Sequence, residues 1–371
     1  MVRIYLDFNA STPIAPEVGA VMRPYLDQHF GNPSSGHWAG QPARDAVETA
    51  RGEVASLLGC AAEEVVLTSG GSEANNHVIK GTVFDAASPT PHIITTSVEH
   101  PAVVEPCRFV ERFGARVTTV PVDRHGLVDP DDIRRAMTPE TVLISVMHAN
   151  NEVGTIQPIA AIARIAREHG VLCHTDAAQS VAKIATRVDD LGVDLLSLAG
   201  HKLYAPKGIG ALYVRRGVTL TPLIHGGGHE RGQRAGTETA LLAAGLGTAC
   251  RLAESDPCGD QVLKLREQFW KALRDTFGDR VVLNGHPTKR LPNTLSVAFP
   301  GRFGDEILAR LDGVAASTGS ACHTGDRTMS PVLAAMGIVT NIGFGTIRFS
   351  LGRTTTEAEI DQVVGQLEAC V

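Results

Sequence analysis

The sequence predicts an α/β fold, with a mostly parallel central sheet in a large domain and a smaller α+β domain after it. Three observations lead there. Short apolar runs rich in β-branched residues alternate with amphipathic helical stretches, the pattern of strand–helix–strand units. The chain has 371 residues, 43% hydrophobic and 20% charged, which is ordinary globular usage and enough chain for two cores. A break at SDPCGD, residues 255–260, separates two long helical segments. The large domain is expected over residues 15–255, and the small one over 1–14 and 256–371.

The elements follow in order. Residues 43–58 place Val47, Ala50, Val54, Leu57 and Leu58 on one helical face. Buried-type strands are expected at 65–68, 92–96, 141–147, 171–175, 194–198 and 209–214. A helix over 159–169 follows Pro158. Beyond the break, strands are expected at 294–299 and 346–351, and a last helix at 357–370.

Composition removes several function classes. The net charge of −6, with both signs mixed along the chain, argues against a general nucleic-acid or bilayer binder. No stretch reaches the roughly 18 apolar residues of a membrane span, and the first residues, MVRIYLDFNASTP, do not form a signal peptide. The seven cysteines are odd in number and contain no CxxC, so neither a disulfide framework nor a structural zinc site is expected, and the cytoplasm is the default compartment.

Five segments carry candidate chemistry. SGGSEANN (69–76) follows a strand and opens a helix; Gly70 and Gly71 permit close approach to an anion, and Ser72 can cap the helix. A plain strand–turn–helix accounts for it as well. HTDAAQS (174–180) ends a strand with Asp176, an acid at the edge of a core that needs a partner, such as a cationic ring nitrogen. A helix-capping role fits equally. SLAGHKLYAPKGIGALYV (197–214) sets Lys202 at the end of a buried strand, where desolvation makes an amine nucleophile. Of the seven lysines, Lys202 is the best Schiff-base candidate. ASTGSACHTGDRTMSPVL (316–333) puts Cys322 in a small-residue polar loop beside His323, accessible in the manner of a reactive thiol, or of an ordinary surface one. HGGGHERGQRAGT (225–237) spaces two histidines four apart, but three glycines oppose the helix that zinc ligation would need; Arg231, Arg234 and Thr237 suit an anion instead.

Together with YLDFNASTP, GNPSS, HANNEVG and IRFSLGR, these segments resemble, in order and over nearly the whole chain, the cysteine desulfurases of the class V aminotransferase-like group, close to the selenocysteine lyases. The resemblance implies a fold-type-I pyridoxal 5′-phosphate enzyme and a homodimer. It makes Lys202 the Schiff-base lysine, Asp176 the partner of the pyridinium nitrogen and Gln179 the donor to the phenolic oxygen. His100 would stack on the ring and handle protons. Gly71, Ser72, Ala199, Gly200 and His201 would surround the phosphate, with Thr237 reaching it from the other subunit. Asn151 and Arg348 would meet the substrate carboxylate, and Cys322 would accept the sulfur. Ala199 stands where the family often has serine, Ser72 replaces a common threonine, and His323 replaces threonine after the nucleophile.

The implied reaction takes sulfur from L-cysteine as a persulfide on Cys322, leaving L-alanine. The persulfide then passes to an acceptor protein serving iron–sulfur clusters, RNA thiolation or DNA sulfur modification; the sequence does not choose among these. Selenocysteine lyase and a weakly catalytic sulfur-transfer scaffold are the alternatives. No direct nucleic-acid, membrane or metal partner is expected.

Overall fold

In a computed structural model, residues 3–255, 259–323 and 326–371 are described, the side chains of residues 320–327 excepted. The central sheet has seven strands: β1 (Val65–Thr68), β2 (His92–Thr96), β3 (Arg116–Val120), β4 (Thr141–Ser145), β5 (Leu172–Asp176), β6 (Leu195–Ala199) and β7 (Gly210–Val214). Their order is β1-β7-β6-β5-β4-β2-β3. The four pairings from β6 across to β3 are parallel, and β7 runs antiparallel to both β6 and β1. The expected fold class is therefore found.

Strand ends differ from the sequence reading for local reasons. The strand expected over 141–147 stops at Ser145, because the Met147 N–H donates to the buried Glu99 carboxylate at 3.0 Å. Val171 belongs to the preceding turn, where its N–H bonds Ala166 O at 2.9 Å. The unexpected β3 is polar and half exposed, as an edge strand tolerates.

Helices α1 (Gln41–Leu58), α2 (Gly71–Asp85) and α3 (Pro101–Glu111) pack on this sheet, and two apolar clusters fill its faces. A third cluster joins Ile4 and Leu6 to Phe269, Phe299, Phe349 and Val363. It surrounds an antiparallel sheet of β8 (Val282–Leu283), β9 (Thr294–Ala298), β10 (Ser317–Thr318) and β13 (Thr346–Ser350), ordered β10-β13-β9-β8. The segment read as a loop around Cys322 instead forms a hairpin, β11 (Ser320–His323) against β12 (Asp326–Met329), with Cys322 opposite Arg327. Among the described residues no helix is long and apolar enough to cross a membrane.

Candidate active site

The carboxyl ends of β4, β5 and β6 open into one cavity of about 620 Å3, where parallel α/β sheets bind ligands. Lys202, Asp176, Gln179, His100, Asn151 and Arg348 all line it, as do Gly71, Ser72, Ala199 and His201. Gly200 and Thr237 do not line it within the same chain. The Cys322 side chain lies outside the described residues.

At one end α2 begins. Gly70, with φ of 146°, turns the chain into the helix, and no side chain caps it. Ser72 is therefore inside the first turn rather than at the cap, contrary to the sequence reading. The first N–H groups of a 15-residue helix face the cavity and supply the positive end of its dipole. A phosphate group fits this cradle.

At the other end Asp176, only 7% exposed, terminates β5. Its Oδ1 accepts from Ala178 N at 2.9 Å and its Oδ2 from Asn75 Nδ2 at 2.7 Å. Behind it His174 is clamped between Ser145 and Ser197 hydroxyls at 2.8 and 3.0 Å, and burial pulls its pKa down to about 3. His174 is therefore neutral behind Asp176, whose carboxyl group lines the cavity.

Lys202 follows β6 and donates to the carbonyls of Asn9 and Ala10 at 2.6 and 2.9 Å. Burial first, then the Arg348 charge, bring its amine down to about 8, against partial opposition from Asp176 and Asp7. An amine so placed is neutral and nucleophilic in a useful fraction near neutral pH. His100 caps α3 with Nδ1, which accepts from Ala102 N at 3.0 Å, so in the neutral ring the proton sits on Nε2. Burial lowers its pKa, with Asp176 opposing. Gln179 donates to Asn9 O at 2.9 Å and accepts from Lys183 at 2.9 Å. Arg348, on β13, donates to Asn151 O at 3.0 Å and to Asp7 at 2.6 Å.

Several contributors escaped the sequence reading. Asn75 sits four residues beyond Gly71, on the helical face that meets the cavity, which its position within SGGSEANN would have indicated. Its Oδ1 is buried without a partner. Glu99 links β2 to the end of β4 through Thr96 at 2.6 Å and Met147 N, and burial pushes it up to about 8. Glu230 ties the glycine-rich segment 225–237 to α1 and β1, through Arg51 at 2.6 Å and Leu67 N at 3.0 Å, while Arg234, read from the sequence as suiting an anion, pairs instead with Glu73 at 2.9 Å.

The same chain matches the aminotransferase class-V family over residues 4–363. It is 46% identical over 372 residues to the cysteine desulfurase IscS of Dictyoglomus turgidum (strain DSM 6724 / Z-1310), covering 99% of this chain and 94% of that one. A solved NifS-like protein superposes with a TM-score of 0.92 at 35% identity, over 99% of each chain. SspA in complex with cysteine superposes with a TM-score of 0.85 at 39% identity, over 94% of this chain and 99% of that one.

Proposed function

The chain belongs to the class-V aminotransferase family, and from that premise we propose how its own residues carry out its reaction. The activity is that of a cysteine desulfurase dependent on pyridoxal 5′-phosphate, which takes sulfur from L-cysteine and leaves L-alanine. The observation that carries the residue assignments is the single cavity in which an uncapped helix, a buried acid, a desolvated lysine and an arginine converge.

The α2 N-terminus with Gly71 and Ser72, joined by His201 beside Ala199 and Gly200, would hold the phosphate. Asp176, steadied by Asn75, would hold the ring nitrogen, and Gln179 the ring oxygen. Bound there, the cofactor supplies an electron sink for breaking bonds at the substrate α-carbon. Lys202 would anchor the cofactor and, as a neutral amine, move a proton at the substrate α-carbon. His100 presents Nε2–H to the reacting groups. Asn151 and Arg348 take the substrate carboxylate.

Cys322 accepts the departing sulfur as a persulfide and passes it to an acceptor protein. Burial raises the thiol pKa of Cys60, Cys107, Cys173 and Cys250, which makes each a poor thiolate and supports a different cysteine as the nucleophile. A cytoplasmic homodimer completes the proposal, with Thr237 reaching the partner's phosphate. The exposed Leu26, Phe30 and Trp38 support an interface. The separate apolar cores support a large domain over 15–255 and a small one over 1–14 and 256–371. Borohydride reduction and peptide mapping test the lysine assignment: the label is expected on Lys202, and a label on Lys183 or Lys207 overturns it.

A further inference from the structure

Asp7 backs Arg348, a residue of the cavity wall, from the opposite end of the sequence. Ile4 and Leu6 are buried in the third apolar cluster, so the alternation of an extended strand puts Tyr5 and Asp7 on the other side. Asp7 bridges Ser350 in parallel, which holds it beside β13. Its Oδ1 accepts from Arg348 Nη2 at 2.6 Å and from Ser317 Oγ at 2.9 Å, and Nη2 also lies 2.8 Å from Ser317 Oγ. Nη1 donates to Asn151 O at 3.0 Å. Both charged side chains are largely buried, at 11% and 19% exposure, so this is no solvated surface pair.

A guanidinium has five N–H donors. Asp7, Ser317 and Asn151 between them engage three, leaving the Nε N–H, buried and without a partner, and one on Nη1. The two diverge, and only the Nη1 N–H can face a ligand; its direction is set by the groups behind the guanidinium, since the long stem would otherwise rotate freely.

We propose that Asp7 is a positioning residue for substrate binding: with Ser317 it locks Arg348 so that the free Nη1 N–H meets the α-carboxylate of cysteine in one orientation. This rests on Arg348 being the carboxylate site under the reading above. A second consequence follows from charge. Arg348 lowers the proton affinity of Lys202, and Asp7 opposes it. Asp176 also faces Lys202 and stays unchanged when Asp7 is altered.

The test compares Asp7→Asn, Asp7→Glu and Ser317→Ala with the parent as cofactor-loaded enzyme, measuring alanine formed from cysteine. Asp7→Asn is expected to raise KM roughly tenfold, the change expected from losing one charge-assisted hydrogen bond, with kcat within about twofold. Cofactor content stays at the parent level, and Asp7→Glu recovers part of the loss. Ser317→Ala, which keeps the ion pair, raises KM about threefold, the effect of one neutral hydrogen bond. In absorbance titrations of the bound cofactor, the Lys202 nitrogen loses its proton at lower pH in Asp7→Asn. Parental KM and titration midpoint in Asp7→Asn overturn the proposal. So does a rise in KM accompanied by a fall in kcat and in cofactor content, which marks a merely structural residue. If the parent makes no alanine from cysteine, the activity fails and this inference with it; an active parent with unaffected variants overturns the Asp7 role alone.

Discussion

Replacing Glu230 by glutamine should unfasten the segment that bears Thr237. Glu230 is 3% exposed and its partner Arg51 is 2% exposed. The carboxylate accepts from Arg51 at 2.6 and 3.1 Å and from Leu67 N at 3.0 Å. Arg51 and Arg231 meanwhile donate to Val65 O at 2.8 and 2.6 Å. These side chains satisfy the outer edge of β1, where a neighbouring strand would otherwise bond. They also hold Glu230 and Arg231 at φ of 48° and 57°, which costs on the order of 1–3 kcal/mol per residue. Glutamine retains one acceptor but leaves the Arg51 charge buried without its counter-ion. Breaking such a pair costs about 3–5 kcal/mol, and the retained acceptor places this case near 3. At about 1.3 °C per kcal/mol for a chain of this size, the melting temperature falls by roughly 4 °C. Urea unfolding followed by circular dichroism reads the change as a lower midpoint at unchanged slope. Because the pair is buried, the loss persists at about 1 M salt, where exposed pairs are screened. A cost under about 1 kcal/mol, or one that disappears in salt, refutes the reasoning.

Two further outcomes are expected. Asn75→Ala removes the 2.7 Å donor to Asp176 and should weaken cofactor retention about 10- to 150-fold, the loss of one hydrogen bond to a charged group, as read by cofactor titration; unchanged retention contradicts the role. Glu99, pushed up to about 8 by burial, binds a proton in the folded chain that the unfolded chain has released above about 4.5. Its contribution is thus present at low pH and lost as pH rises toward 8, so the parent loses more melting temperature from pH 6 to pH 8 than Glu99→Gln; equal losses contradict the shift.

Much of this site was legible because its pieces are short and local. Asp176 and Lys202 each follow an apolar run, and a strand's end in an α/β sheet is where a ligand meets protein. The phosphate turn was legible from its glycines, but its cap was not, since the φ of Gly70 moved the helix start ahead of Ser72. Partners distant in sequence were not legible. Asn75 and Asp176 are 101 residues apart, Arg51 and Glu230 are 179, and Asp7 and Arg348 are 341. Pairing at those separations depends on how the sheets stack, which periodicity does not report. Glu99 was hidden for a related reason: a carboxylate beside a strand reads as surface, and only the close approach of β2 and β4 buries it.

Alanine and enzyme-bound sulfur, measured in a single turnover with L-cysteine, test the central claim most directly. The account predicts about one alanine per cofactor-bearing site and an equal amount of persulfide, mapped to Cys322, with Cys322→Ser keeping the cofactor spectrum and losing alanine. Pyruvate and ammonia as products, or full alanine formation by Cys322→Ser, would contradict it.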